Sequence, residues 1–120
     1  MFEITVNDNY FIVDFKTDAT LELILSSFDS IEKIENFQHL NDIFNYGDHL
    51  VHINPDDMGE LLQQIETRTP PGAQKKKSAL VTSSGFLMAI GELWREYASR
   101  LPQEIRVFQS LSAAKAWIEE

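Results

Sequence analysis

The chain has no cysteine, which removes disulfides, thiolate zinc sites, iron–sulfur clusters and thiol nucleophiles together. Cations are scarce: 10 Lys and Arg stand against 19 Asp and Glu, for a net charge of −9. The shortage is uneven. Residues 1–70 carry 14 acidic and 3 basic side chains, whereas residues 71–120 carry 5 and 7. An acidic front half repels phosphate backbones, and without a broad basic face no nucleic-acid partner is expected. The one basic run, Lys75-Lys76-Lys77, falls short of the roughly 4–8 cations of a lipid-binding cluster. It reads as a solvated loop before a buried strand. Long apolar runs are also missing. None approaches the roughly 20 residues of a membrane span, so no integral membrane association is expected. The opening residues alternate like a strand and lack the basic and apolar blocks of a signal peptide, which makes a cytoplasmic location the expectation.

What remains is the composition of one α/β domain of 120 residues, 43% hydrophobic. Phe2, Ile4 and Val6 alternate with polar residues, Asn7-Asp8-Asn9 turns, and Tyr10 to Phe15 runs back as the second strand of a hairpin. Asp18 or Thr20 caps a helix burying Leu21, Ile24, Leu25, Phe28 and Ile31. A third strand is expected over 37–46, ended by Gly47-Asp48. Asn54-Pro55-Asp56-Asp57 starts a second helix with Met58, Leu61, Leu62 and Ile65 inward, and Thr69-Pro70-Pro71-Gly72 stops it. A short strand over 78–82 leads into a helix expected to bury Phe86, Ile90, Leu93, Trp94, Tyr97 and Leu101 and to end at Pro102. A strand over 105–108 and a helix capped by Ser110, with Leu111, Ala114, Trp117 and Ile118 inward, complete the order β-β-α-β-α-β-α-β-α. Alternating strands and helices require right-handed crossovers, hence a single mixed sheet with an antiparallel hairpin and then parallel βα units, packed by about four helices.

The tail from Ala79 to Glu120 resembles the end of the SpoIIAA-like family: Val81 to Gly85 as a serine-rich strand–helix turn, Arg106-Val107-Phe108 as the last strand, Ala113-Ala114 with Trp117-Ile118 as the small last helix. That family is similar to the anti-sigma-factor antagonist (STAS) domains and, more loosely, to CRAL-TRIO lipid-transfer domains. The resemblance implies a regulatory or ligand-binding module without catalysis or cofactor of its own, and it suggests a protein partner or homodimer. In STAS domains the phosphorylated serine follows the third strand. The matching turn here is Asn45-Tyr46-Gly47-Asp48, which has no serine or threonine, and Ser83-Ser84-Gly85 comes one βα unit later.

Three groups of side chains carry candidate chemistry. Ser83 and Ser84 at a helix start offer hydroxyls beside unpaired backbone N–H groups, which suits an anion, yet also suits plain capping. With Gly85, Phe86, Tyr46, Gly47 and Asp48 they form the candidate ligand site, because open α/β sheets bind ligands at the C-terminal strand ends. The expected ligand is small and either apolar or anionic. A serine-based hydrolase or transferase would need an acid or base within hydrogen-bond reach of Ser83 or Ser84. His49 and His52, near Asp48, Asp56 and Asp57, are the only metal-ligand candidates, on an irregular segment without fixed geometry. Finally, the aromatic stripe of the third helix, with Trp117, is large for so small a core. It either packs on the sheet or lines an apolar pocket beneath that helix, as a lipid carrier would need.

Overall fold

The computed structural model describes Met1–Glu120. Strands β1 (Phe2–Val6) and β2 (Tyr10–Phe15) form the hairpin, its turn held by the Asn7 carboxamide oxygen, which accepts from the N–H groups of Asn9 and Tyr10 at 2.9 Å. Two-residue strands β3 (Ala19–Thr20) and β5 (Val51–His52) pair in parallel as a separate small sheet. Strands β4 (Asn41–Gly47), β6 (Lys76–Thr82) and β7 (Gln103–Phe108) complete the main sheet in the order β1-β2-β4-β6-β7. Only β1–β2 is antiparallel.

Four helices follow their caps: α1 (Leu21–Ile31) from Thr20, α2 (Pro55–Arg68) from an Asn54–Asp57 capping box, α3 (Gly85–Tyr97) from Ser84 and α4 (Leu111–Ile118) from Ser110. Each cap is a short polar side chain accepting an otherwise orphaned backbone N–H. From β2 onward the strand order advances in one direction. Successive right-handed crossovers therefore place α1, α2 and α3 on the same face of the sheet. The last helix has no strand to return to and covers the opposite face, where Ala114, Trp117 and Ile118 meet Tyr10, Ile12, Ile43, Ala79 and Val81. None of the four helices is long and apolar enough to cross a membrane.

Three expectations need correction. Residues Phe37–His39 form a 3₁₀ turn, not a strand, because Asn36 takes a left-handed φ of 60° and redirects the chain; β4 starts only at Asn41. The basic run is not a loop: β6 begins at Lys76, so strand alternation sends Lys76 to the α1–α3 face and Lys77 to Trp117, whose carbonyl it reaches at 2.8 Å. The third correction concerns α3, which ends at Tyr97 rather than at Pro102. Its Phe86, Leu93 and Tyr97 are 66%, 44% and 45% exposed, while Leu87, Gly91 and Ala98 face inward. Glu92, Arg95 and Glu96 form a charged arc, and the side that is buried is only the edge of the apolar stripe, at Leu87, continued by Gly91 and Ala98. Contact selects that side: a Cβ on Gly91 would lie 2.9 Å from Cγ2 and 3.3 Å from Cγ1 of Val107 on β7.

That contact yields a stability prediction. Alanine in place of an exposed helical glycine gains about 1 kcal/mol of propensity, but at Gly91 the new methyl meets a β-branched side chain that has little rotamer freedom. Gly91→Ala is expected to lower the unfolding free energy by about 1 kcal/mol and Gly91→Val by about 3 kcal/mol, read from urea denaturation.

Candidate functional site

The turn after β4 and the start of α3 do come together. Ser83 donates its N–H to the Gly47 carbonyl at 3.0 Å, and its hydroxyl reaches both that carbonyl at 3.2 Å and the Asp48 carboxylate. Gly47 holds φ at +57°, a conformation that favours glycine, with its N–H on the Asn45 side-chain oxygen at 3.1 Å. Ser84 accepts the N–H of Leu87 at 3.3 Å as N-cap, and its own N–H goes to the Thr82 hydroxyl. Both serines thus have protein partners, and the Asp48 carboxylate on Ser83 repels an incoming anion. Phe86 stands out into solvent beside them.

Asp48 is the acid that a serine-based reaction needs near Ser83. No histidine stands with the pair, because both imidazoles turn to Asp18: His52 Nε2 lies 3.3 Å and His49 Nδ1 3.9 Å from its carboxylate. Asp57 is occupied in the α2 cap. No group of three or more His, Asp or Glu side chains that could hold a metal ion is assembled. The Asp18 carboxylate instead fastens the small β3–β5 sheet. Its Oδ1 accepts the backbone N–H of Leu50 at 2.9 Å, and this bond, with help from His52, holds the carboxyl below its ordinary value. A carboxylate with a depressed folded pKa stabilises above its unfolded value of about 3.9, and the gain is lost as pH falls through the folded value. Asp18→Asn should therefore unfold at lower urea than the parent at pH 7, with the difference starting to shrink only below about pH 4 and disappearing below the folded value. A constant difference across that range would assign Asp18 no ionic role.

A second site, which shares only Tyr46 with the expected ligand residues, lies under the three helices. Between them and the sheet is an apolar cleft of about 180 Å³. Its floor is the inward row of the central strands: Asp42, Phe44 and Tyr46 from β4, then Lys76, Ser78, Leu80 and Thr82 from β6. Its roof includes Phe28, Ile65, Ile90 and Trp94. On β2, Phe11 and Val13 are 1% and 0% exposed, yet Phe44 on the central strand β4 and Leu80 on β6 are only half-buried. The helices stand off where a core is normally tightest. Trp94 is partly inward as expected, whereas Trp117 lies across the sheet and takes no part.

At one end of this floor sits a buried polar group. Asp42, 3% exposed, accepts the Ser78 hydroxyl on Oδ1 and the Lys76 ammonium on Oδ2 at 3.0 Å. The Lys76 nitrogen also lies 5.5 Å from the centre of the Phe11 ring. Toward the other end, Tyr46 stacks on Phe15 with centroids 4.8 Å apart, and its hydroxyl keeps some accessible surface. Burial first, and then the Asp42 charge, push the phenol well above its usual value, so it stays a neutral donor.

The sequence contained a signal for this row. Asp42, Phe44 and Tyr46, like Lys76, Ser78 and Leu80, are spaced by two, and that spacing puts each set on one strand face. The sheet has no point at which strand order reverses, so the usual crevice at the C-terminal strand ends does not form. The open space lies over the sheet face instead. The chain matches no protein-family model, no curated protein and no solved structure.

Proposed function

We propose that the protein is a non-catalytic binding module that holds one small, largely apolar molecule in the cleft between the sheet and α1–α3. The observation that carries this reading is the uncovered centre of the sheet, where Phe44 and Leu80 face open space. An engineered apolar cavity of about 150 Å³ suffices for benzene, while drug-sized ligands fill about 300 Å³ or more. A cleft of about 180 Å³ thus suits a one- or two-ring molecule better than a long-chain lipid. The resemblance to SpoIIAA-like and STAS domains supports regulation by binding, and that to CRAL-TRIO domains supports an apolar occupant. Methyl-labelled protein titrated with indole, a neutral probe, should show saturable shifts at Ile65, Leu80, Ile90 and Val107. Shifts confined to the outer side of α3, or none at millimolar probe, would sink the reading.

A second reading rests on the exposed row Phe86, Leu93 and Tyr97. Apolar side chains in a row along one helix face suit association with a second copy of the chain. Sedimentation equilibrium should then show a dimer at tens of micromolar that Leu93→Glu returns to monomer. A monomer throughout would dismiss this reading and leave the cleft untouched.

A further inference from the structure

We propose that the occupant of the cleft is an uncharged molecule with an apolar body and a carbonyl oxygen, the oxygen being seated on the Lys76 ammonium. The proposal rests on the cleft being a binding site and adds the chemical class of what it binds. The four charged side chains lining the cleft are already matched. Lys76 pairs with Asp42, and Arg68 pairs with Glu32 and, at 3.1 Å, with Asp29 outside it. An added charge of either sign would be left without a counter-ion against apolar walls, at a cost of several kcal/mol. A neutral molecule meets no such cost.

On the strand floor around Lys76 the unspent hydrogen-bonding capacity leans toward donors. Both Asp42 oxygens are in use, one by Ser78 and one by Lys76. Of the three ammonium hydrogens of Lys76, one goes to Asp42 and the Phe11 ring takes a face of the charge, so at least one is without a protein acceptor. Near the far end, the Tyr46 hydroxyl, which keeps some accessible surface, is a second donor. Donors facing the floor of a charge-balanced cleft favour a ligand that brings an acceptor and no charge. The floor is graded to match. From Ser78 to Thr82 is four residues, on the order of 13 Å at about 3.3 Å per residue, polar at the Lys76 end and lined by Phe44, Leu80 and Val107 beyond it.

Four probes sharing a phenylethyl body separate the possibilities: 4-phenyl-2-butanone, butylbenzene, 3-phenylpropionate and 3-phenylpropylamine. Their affinities for the unmodified protein are measured by calorimetry and methyl shifts at pH 7. A hydrogen bond to a charged donor corresponds to roughly a tenfold gain, so the ketone should bind about tenfold tighter than the hydrocarbon and tighter still than either ion. Butylbenzene binding as well as the ketone would overturn the carbonyl assignment while leaving the cleft reading intact. The acid or amine binding as tightly as the ketone would overturn the neutrality argument. Binding by none of the four would remove both readings. Replacing the polar group wholly by Asp42→Leu, Lys76→Met and Ser78→Ala, which leaves no stranded charge, should keep butylbenzene affinity and erase the ketone's advantage. An advantage that survives would place the oxygen elsewhere.

Discussion

Lys76→Met is expected to lower the unfolding free energy by about 3 kcal/mol at pH 7. The reason lies in the partner left behind. The Asp42 side chain is 4% exposed and that of Lys76 16%, so the carboxylate has almost no water to fall back on once the ammonium is gone. Breaking a buried pair from one side typically costs about 3–5 kcal/mol, and the partial exposure of Lys76 sets the expectation at the lower end. The opposite cut is milder. With Asp42→Ala, the lysine stem can bend so that its ammonium meets solvent, and about 2 kcal/mol is expected. Removing the whole polar group by Asp42→Leu, Lys76→Met and Ser78→Ala strands nothing and should return stability to within about 1 kcal/mol of the parent. Urea titrations of the three proteins check the pattern. Losses that simply add, leaving the triple variant the least stable, would show that the group stabilises the fold outright and is not merely tolerated in it.

Element order was readable because it rests on strong local signals. The capping box at Asn54–Asp57, the alternation of Phe2 to Val6 and the caps at Ser84 and Ser110 each specify their own neighbourhood. Crossover handedness, a general property of L-chains, then supplied the mixed sheet. Local rules failed where a distant partner decides. The inner face of α3 is chosen by Val107, sixteen residues beyond Gly91, and a glycine carries no hydrophobic signal. The triplet Lys75–Lys77 resembles a loop in isolation, and only the Asp42 carboxylate on the neighbouring strand explains a lysine at the start of β6. The two-residue strands β3 and β5 are too short for any period to register. Gly47, Asp48 and Ser83 of the candidate turn meet through hydrogen bonds. The cleft was anticipated only as a pocket beneath the third helix, because an empty volume is set by how three helices stand relative to a sheet and leaves no mark on a single segment.

Ile43 and Phe44 are adjacent on the same central strand and offer a direct measure of that empty volume. Ile43 is 0% exposed and packed beneath α4 with Ala79, Trp117 and Ile118. Ile43→Ala should cost about 4 kcal/mol, within the usual range for a buried aliphatic truncation, since the facing side chains are too large and too well held to collapse into the gap. Phe44 is the larger residue, and truncating a packed phenylalanine usually costs about 3–5 kcal/mol. Here one side of its ring already faces the cleft, with Phe28 meeting it edge-on at 6.3 Å. Fewer contacts are lost and the new space joins an existing one, so Phe44→Ala is expected to cost only about 2 kcal/mol. The order of the two losses is thus reversed from what side-chain size alone dictates. Chemical denaturation of the pair decides it: if Phe44→Ala proves the more damaging, the helices close on the sheet centre in solution and no ligand space exists there. If Ile43→Ala is the worse, a two-ring probe such as biphenyl should also gain affinity in Phe44→Ala, because the enlarged cleft has room for a second ring.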